Sequence, residues 1–491
     1  MVVDLSVATN KDYKPTLNRV NQLLDFWIVG EQESRMGVFT NWILACQNVN
    51  LAGQRASGKT HIANTVSKFL PDKNGMFDLA KGSDKSSWYQ AEALKQHSHI
   101  MIRELNKITN DVKETLKDWG EGMPSKYNVV VSEGGNRRVQ TYVLPCKPFI
   151  FCLADEQEEK VDEQLRSRLT VIRTDISEAQ NKSVNLDQAN SAMMPTNPKP
   201  FNPEEFKQMK EHISTLPPWD DDGYRHPAAN IFVGCIPTFF TDCRRDFPKY
   251  LKNTYGITRF YWKDRLSSSI STIDSNNKLV KKRIFFVTPQ DMYYNHIIYG
   301  NTLVESSLKC SNMERQLIQV LQESKNPLPK SLIQSKIRLV GITVSSQMLS
   351  RHLATLSDLG YVETVRIGKI ETTYTVGALF KDFQFEVNWK EVIKESIENM
   401  KKYYPESVDD YKKMYCDNPI VIHPYNGVEI NLNDIEFIPP NKSDTLYTSS
   451  SVQSKDAPEK KSITSMFTVD ELEDIKDDEI QQHINIDEEV V

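Results

Sequence analysis

One octapeptide carries the residue types and spacing that chemistry on phosphates requires: Gly53, Gln54, Arg55, Ala56, Ser57, Gly58, Lys59 and Thr60. The run matches the phosphate-binding loop G-x-x-x-x-G-K-[ST] at every fixed position. Glycines let backbone N–H groups turn inward around an anion, and a helix start adds partial positive charge there. In such a loop Lys59 would reach the β- and γ-phosphates, and the Thr60 hydroxyl would sit on Mg²⁺. A Gly-rich turn that binds nothing is the alternative, and the flanking sequence argues against it. The apolar run 49–52 reads as a strand, and residues 61–70 read as a helix ended by Pro71. Strand, loop and helix in that order are the context a phosphate cradle needs, so the chain is expected to bind ATP with Mg²⁺.

A phosphate loop also needs a carboxylate on a neighbouring strand. Residues 99–104, His-Ile-Met-Ile-Arg-Glu, read as an apolar strand ending in an acid. Glu104 is therefore the candidate that polarises the attacking water and helps to order Mg²⁺. Two adjacent acids are usual, and Arg103 stands where the metal-holding one belongs. That departure leaves Glu104 alone, or assisted by another group, and predicts slow hydrolysis. A strand capped by an ordinary surface acid is the plainer reading of the same residues. A further buried strand at 149–153 exits at Asp155, and strand exits line the ligand crevice in open α/β sheets. Asp155 is thus the candidate sensor of the γ-phosphate. A helix then ends in Arg166-Ser167-Arg168 before a strand at 170–173.

Between the acid-ended strand and the sensor strand, two β-branched runs flank Gly134-Gly135-Asn136, which predicts a hairpin over 127–144 with Arg137 and Arg138 at its tip. Arginine suits contact with a nucleic-acid backbone because its charge is permanent and its fork matches phosphate oxygens; ordinary solvated arginines are the alternative. Further on, Arg244 and Arg245 open a basic stretch that runs to Arg283. Over 312–376 the pattern predicts three helices, at 313–323, 332–337 and 344–359, followed by a β-hairpin. Leu349, Leu353 and Leu356 turn inward on the third helix, and Ser345, Gln347 and Arg351 outward.

The phosphate loop, acid-ended strand, polar strand exit and Arg-Ser-Arg-apolar turn, in this order, resemble an AAA+ ATPase. The resemblance implies that Arg168, with Arg166 as the next candidate, reaches into the neighbouring subunit's nucleotide; the same arginines can also cap a helix C-terminus. The hairpin's position resembles the group that contains the minichromosome-maintenance motors and the superfamily-three viral helicases. There it points into a central channel, which implies that Arg137 and Arg138 hold DNA. The segment around Arg244 and Arg245 resembles the lid in which these ATPases keep a second arginine sensor of the γ-phosphate. Three helices and a hairpin resemble a winged helix, which implies Ser345, Gln347 and Arg351 in the major groove and Arg366 and Lys369 on the wing; such domains also serve as protein-contact modules.

The expected fold is α/β: a P-loop AAA+ core with a mostly parallel sheet, a helical lid, a C-terminal winged helix and a disordered acidic tail. The boundaries expected are 1–35 for an N-terminal segment, 36–178 for the core, 179–203 for a linker read as a mobile loop, 204–308 for a mostly helical lid, 309–380 for the winged helix, 381–438 for a helical extension and 439–491 for the tail. The expected activity is ATP hydrolysis coupled to DNA by a homo-oligomeric ring such as a hexamer, a helicase- or translocase-like motor. A replication initiator or loader resembling the origin-recognition ATPases, or a transcription regulator, would instead use ATP as an assembly switch.

The formal net charge of −6 hides the basic stretch 244–283 and an acidic one at 470–489, the latter suited to a basic protein partner or to competition for the chain's own DNA sites. Seven cysteines, Cys46, Cys146, Cys152, Cys235, Cys243, Cys310 and Cys416, are scattered and odd in number, with no C-x-x-C pair. A disulfide framework or zinc site is not expected, and a reducing, cytoplasmic setting is. No secretory signal or membrane-spanning run is read in the sequence.

Overall fold

The computed structural model describes residues 14–79, 91–103, 110–133, 136–154, 161–193, 201–234, 243–273, 278–307, 310, 312–324, 326–339, 344–367, 371–377 and 387–437. All fall within one structural unit, Met1–Ile438; the second, Pro439–Val491, lies outside the described residues, and the expected acidic tail with it.

The centre is a sheet of five parallel strands in the order β2–β3–β6–β1–β7. Its members are β1 (Val49–Gly53), β2 (Met76–Leu79), β3 (His99–Ile102), β6 (Phe149–Ala154) and β7 (Thr170–Arg173). Four of them fall on the apolar runs the sequence singles out. The two faces feed separate apolar cores, because side chains alternate along a strand. Ile100, Ile102, Phe149, Phe151 and Leu153 join one core; Met101, Ile150, Cys152, Leu51 and Ile172 join the other. Helices α4 (Ala91–Gln96) and α5 (Asn110–Gly120) cover the first face, α5 with a stripe of Val112, Leu116 and Trp119. The second is covered by α1 (Leu17–Asp25), α2 (Gln32–Val38) and α3 (Lys59–Ser67), with later helices behind them. Val20, Met36, Phe39 and Trp42 share this core, which therefore runs through the expected boundary at residue 35.

From β1 the chain leaves toward β2, β3 and β6, and from β6 it crosses β1 to reach β7. That reversal of direction opens a crevice at the carboxyl ends of β1 and β6, where ligands bind in open α/β sheets. The ribbon β4 (Ser125–Glu133) and β5 (Asn136–Leu144) stands apart as a two-stranded sheet, paired from Ser125↔Leu144 to Glu133↔Asn136. A short helix, α6 (Glu163–Arg166), precedes β7.

One expectation fails and another is incomplete. Residues 178–193, read as loop, form α7 (Glu178–Met193). The stretch contains neither Pro nor Gly, and the Ser177 hydroxyl caps it by accepting from Gln180 N at 3.2 Å. Its Asn and Ser content reads as loop because it buries no residue. The region 204–308, read as mostly helical, holds α8 (Pro203–Ser214), α9 (Ala229–Val233), α10 (Cys243–Phe260) and α11 (Pro289–Ser307), but also a sheet ordered β8–β10–β9. Those strands are β8 (Tyr224–Arg225), β9 (Ser267–Ile273) and β10 (Leu279–Phe286). Buried Ile284, Phe285 and Phe286 carry β10 into the core, while its exposed basic end hid the strand from view.

A third apolar core sits in residues 310–376. It joins α12 (Asn312–Gln322), β11 (Leu328–Pro329), α13 (Lys330–Leu339), α14 (Ser346–Asp358), β12 (Val362–Ile367) and β13 (Glu371–Val376), the strands pairing in the order β11–β13–β12. Helix α15 (Trp389–Tyr403) and the hairpin β14 (Ile420–Ile422) and β15 (Glu429–Asn431) complete the described chain. No helix among the described residues is long and apolar enough to cross a membrane.

Candidate nucleotide site

The octapeptide closes a tight loop between the end of β1 and the start of α3. Gly53 has φ +155°, and a Cβ there would stand 2.0 Å from Thr174 Oγ1 and 2.9 Å from Ser57 Oγ. Gly58, at φ +82°, precedes α3 without a side-chain cap, and the space a Cβ would enter is open. Ala56 holds φ +63°, a conformation that costs an L-residue about 1–3 kcal/mol and that collects at ligand-binding turns. The first helical bond runs from Ile62 N to Gly58 O, so the N–H groups of the first turn lie outside the helical ladder and face the loop.

Lys59 is buried, and its ammonium lies on the loop itself. It donates to Gly53 O at 2.9 Å, to Gln54 O and to Ser57 Oγ at 3.3 Å. Three loop acceptors thus converge on one ammonium, while Gln54, Arg55, Ala56, Gly58 and Thr60 are exposed around it. The Cys152 thiol on β6 has its pKa pushed up to about 11 chiefly by burial. A cradle that only glycines permit, an inward lysine and an exposed threonine hydroxyl fit a nucleoside triphosphate with Mg²⁺.

Of two residues that the sequence did not single out, Thr174 holds this loop and Glu31 holds the backbone next to Thr174. Thr174, just past β7, donates to Ser57 Oγ at 2.8 Å and takes its own N–H to Ala52 O at 3.0 Å. Glu31, in the left-handed region at φ +53°, accepts from Asp175 N with both oxygens at 3.1 Å and from the Ser34 hydroxyl at 2.5 Å. Burial raises the Glu31 carboxyl to about 6 against these hydrogen bonds. Both act across more than a hundred residues of chain, with no local spacing to mark them.

Beside the acid-ended strand, Arg103 gives Nε and a terminal guanidinium nitrogen to Asp78 Oδ2 on β2, each at 2.6 Å. The side chain at the metal-holding place is thus committed to a partner on the edge strand. Glu104 and Asp155 lie outside the described residues. In the Arg-Ser-Arg turn, Arg166 is half-buried. Arg168 pairs with Glu121 at 2.5 Å and donates to Lys117 O at 3.2 Å, within its own chain. Arg244 is exposed at the start of α10; Arg245, rather than Arg244, comes to this turn and donates to the Ser167 hydroxyl.

On the ribbon, Arg138 is exposed opposite Val131, and Arg137 sits opposite Ser132 next to the turn. On α14, Gln347 and Arg351 are exposed. Ser345 is exposed, as the outward reading expects, and also caps α14, its hydroxyl accepting from Met348 N at 3.2 Å, because an N-terminal serine satisfies an orphan helix N–H. Arg366 lies on β12, and Lys369 lies outside the described residues.

No protein-family model matches the chain, and no curated protein does. Among solved structures, a provisionally assigned ATPase from Cytophaga hutchinsonii is similar at 12% identity and a TM-score of 0.33, over 58% of this chain and 85% of that one. An overlap of that extent leaves the assignment to this chain's own sheet order and loop geometry.

Proposed function

We propose that the chain is an ATP-dependent, DNA-directed AAA+ ATPase that works as a ring of identical copies, a helicase- or translocase-like motor in DNA replication. One observation carries the reading: Lys59, buried beneath a glycine-dependent turn at the crevice of a five-stranded parallel sheet, with its ammonium resting on loop carbonyls that phosphate oxygens can replace. In this reading Lys59 moves from Gly53 O to the β- and γ-phosphates, and the first-turn N–H groups of α3 hold the same oxygens. Mg²⁺, when bound, would neutralise charge between the phosphates, with Thr60 and Glu104 to hold it. Glu104 orients and deprotonates the attacking water, and Asp155 contacts the γ-phosphate. Arg168 of one copy steadies charge on the next copy's triphosphate, a role worth about 10³–10⁵ in rate in related enzymes. Arg244 and its neighbour Arg245 belong to the lid and report the nucleotide state.

The DNA part of the proposal rests on Arg137 and Arg138 at the ribbon's tip and on the exposed pair Gln347 and Arg351. Residues 310–376 are read as a winged helix, with Arg366 and Lys369 toward phosphates and Ser345 as a cap. The site of action is inside the cell, on DNA, and the acidic tail is assigned a basic protein partner. The test is the ATPase rate without DNA, with single strands and with duplex, together with strand displacement. Lys59→Ala is expected to abolish both activities; full unwinding by that variant sinks the motor. Unchanged DNA stimulation in a chain carrying Arg137→Ala and Arg138→Ala removes the ribbon from the account.

A second reading is favoured by Arg103. With its guanidinium on Asp78, the metal-holding place carries no acid, which suits slow hydrolysis and an ATP switch, as in an initiator, a loader or a transcription regulator. ATP-dependent assembly on duplex DNA without strand displacement would select this reading over the motor.

A further inference from the structure

Glu121, one residue past α5, gathers two arginines from distant elements. Its Oε1 lies 2.5 Å from a terminal nitrogen of Arg168 and 3.8 Å from one of Arg245. Arg168 also donates to Lys117 O, and Arg245 to the Ser167 hydroxyl. The stem of Arg168 crosses Gly120 so closely that a Cβ there would stand 2.8 Å from its Cδ. Lys117, one turn earlier on α5, is taken by Glu114 at 2.9 Å and Asp162 at 3.2 Å. The Arg168 guanidinium is seated without being saturated, since its Nε is buried with no acceptor. A guanidinium has five donors, and a phosphate can engage them as a fork. The Glu121 side chain is 41% exposed and that of Arg168 15%, so the edge of the guanidinium that Glu121 covers is the one a phosphate oxygen takes when the carboxylate swings away.

We propose that Glu121 is a positioning residue that stores Arg168 within its own copy and yields it to a triphosphate presented by the adjacent copy. This rests on the reading of Arg168 as the finger in the proposed ring. Because Arg245 of α10 keeps its bond to the Ser167 hydroxyl, the Glu121 carboxylate that Arg168 vacates is left to Arg245.

The test mixes two full-length chains. Lys59→Ala copies lack the phosphate-binding lysine but still offer Arg168; Arg168→Ala copies bind nucleotide and offer no finger. Together they rebuild one type of active boundary. Glu121→Gln placed on the Lys59→Ala copies is expected to raise the mixed ATPase rate about two- to fivefold, the worth of a partly exposed ion pair. The same change on the Arg168→Ala copies is expected to leave it unaltered. An unchanged or lower rate in the first mixture, or an equal rise in both, overturns the storage role. No activity from the two parent variants mixed without Glu121→Gln overturns the finger reading instead. Should Glu121→Gln lower the melting temperature, Glu121→Asp, which keeps the charge and loses reach, is expected to segregate in the same way with a smaller rise, and its failure to do so counts equally against the proposal.

Discussion

Thr174→Val tests whether the phosphate loop is held ready before nucleotide arrives. The substitution keeps the shape of a buried side chain and exchanges its hydroxyl for a methyl group. It removes the 2.8 Å bond to Ser57 Oγ and leaves Ser57 with the Lys59 ammonium at 3.3 Å. A hydrogen bond of this kind contributes about 1 kcal/mol net, and more when its partner is left unpaired. If that energy orders the loop, nucleotide must supply it on binding, so the dissociation constant should rise about five- to tenfold, the equivalent of about 1–1.4 kcal/mol. Calorimetric titration with a slowly hydrolysed ATP analogue reads the affinity, and thermal melting reads the fold. A lowered melting temperature with an unchanged dissociation constant refutes the reasoning, because Thr174 would then fasten β7 to β1 and do nothing for the loop. Loss of affinity with little loss of stability is the signature of preorganisation.

Gly53→Ala should damage the loop more than Thr174→Val, since its Cβ meets Thr174 Oγ1 at 2.0 Å; nucleotide binding should fall below detection in the same titration while the far-ultraviolet circular dichroism stays folded. Glu31 makes stability fall as pH rises. Its folded pKa of about 6 exceeds the ordinary 4.5, so the contribution is complete below pH 4.5 and lost on passing 6, about 2 kcal/mol in all, and denaturant titrations of Glu31→Gln should lack this component. His99 acts in the opposite sense: burial lowers its pKa from 6.5 to about 3, so its contribution disappears as pH falls below 6.5, and His99→Asn should flatten the acid limb of the melting curve. Arg265→Met should destabilise the chain by about 3–5 kcal/mol in urea, because it leaves Asp291 fully buried without its cation; adding Asp291→Leu should recover much of the loss.

The sheet was legible where a strand is buried on both faces. β6 is apolar throughout, and β1, β3 and β7 are apolar but for Asn50, His99, Thr170 and Arg173, in runs too short for a buried helix. β2 was not, because its four residues are all half-buried and one of them is Asp78. β9 and β10 were read as part of a helical region since Ser267–Ile273 is rich in serine and the first half of Leu279–Phe286 is charged and exposed. The phosphate loop was legible because its function needs a fixed local spacing. Thr174, Glu31, Asp78 and Glu121 were not, since each reaches its partner across a fold that sequence spacing does not encode. Leucine periodicity marks the first and third helices of 312–376, and β-branched runs mark the hairpin, whereas the service of Ser345 as a cap has no such signature.

The two ends of the described chain are sewn together. Asn18 gives its amide to Pro424 O at 3.3 Å, Asn21 gives its own to Tyr425 O at 3.4 Å, and Leu17, Val20 and Leu24 share a core with Val421 and Leu432. A fragment cut to the apparent minimum, starting at residue 36 or stopping before 420, would strip one half of this seam and leave the other half greasy and insoluble. Expression trials should therefore keep both flanks, and a tether pulled from either terminus would strain this seam first, ahead of the phosphate loop.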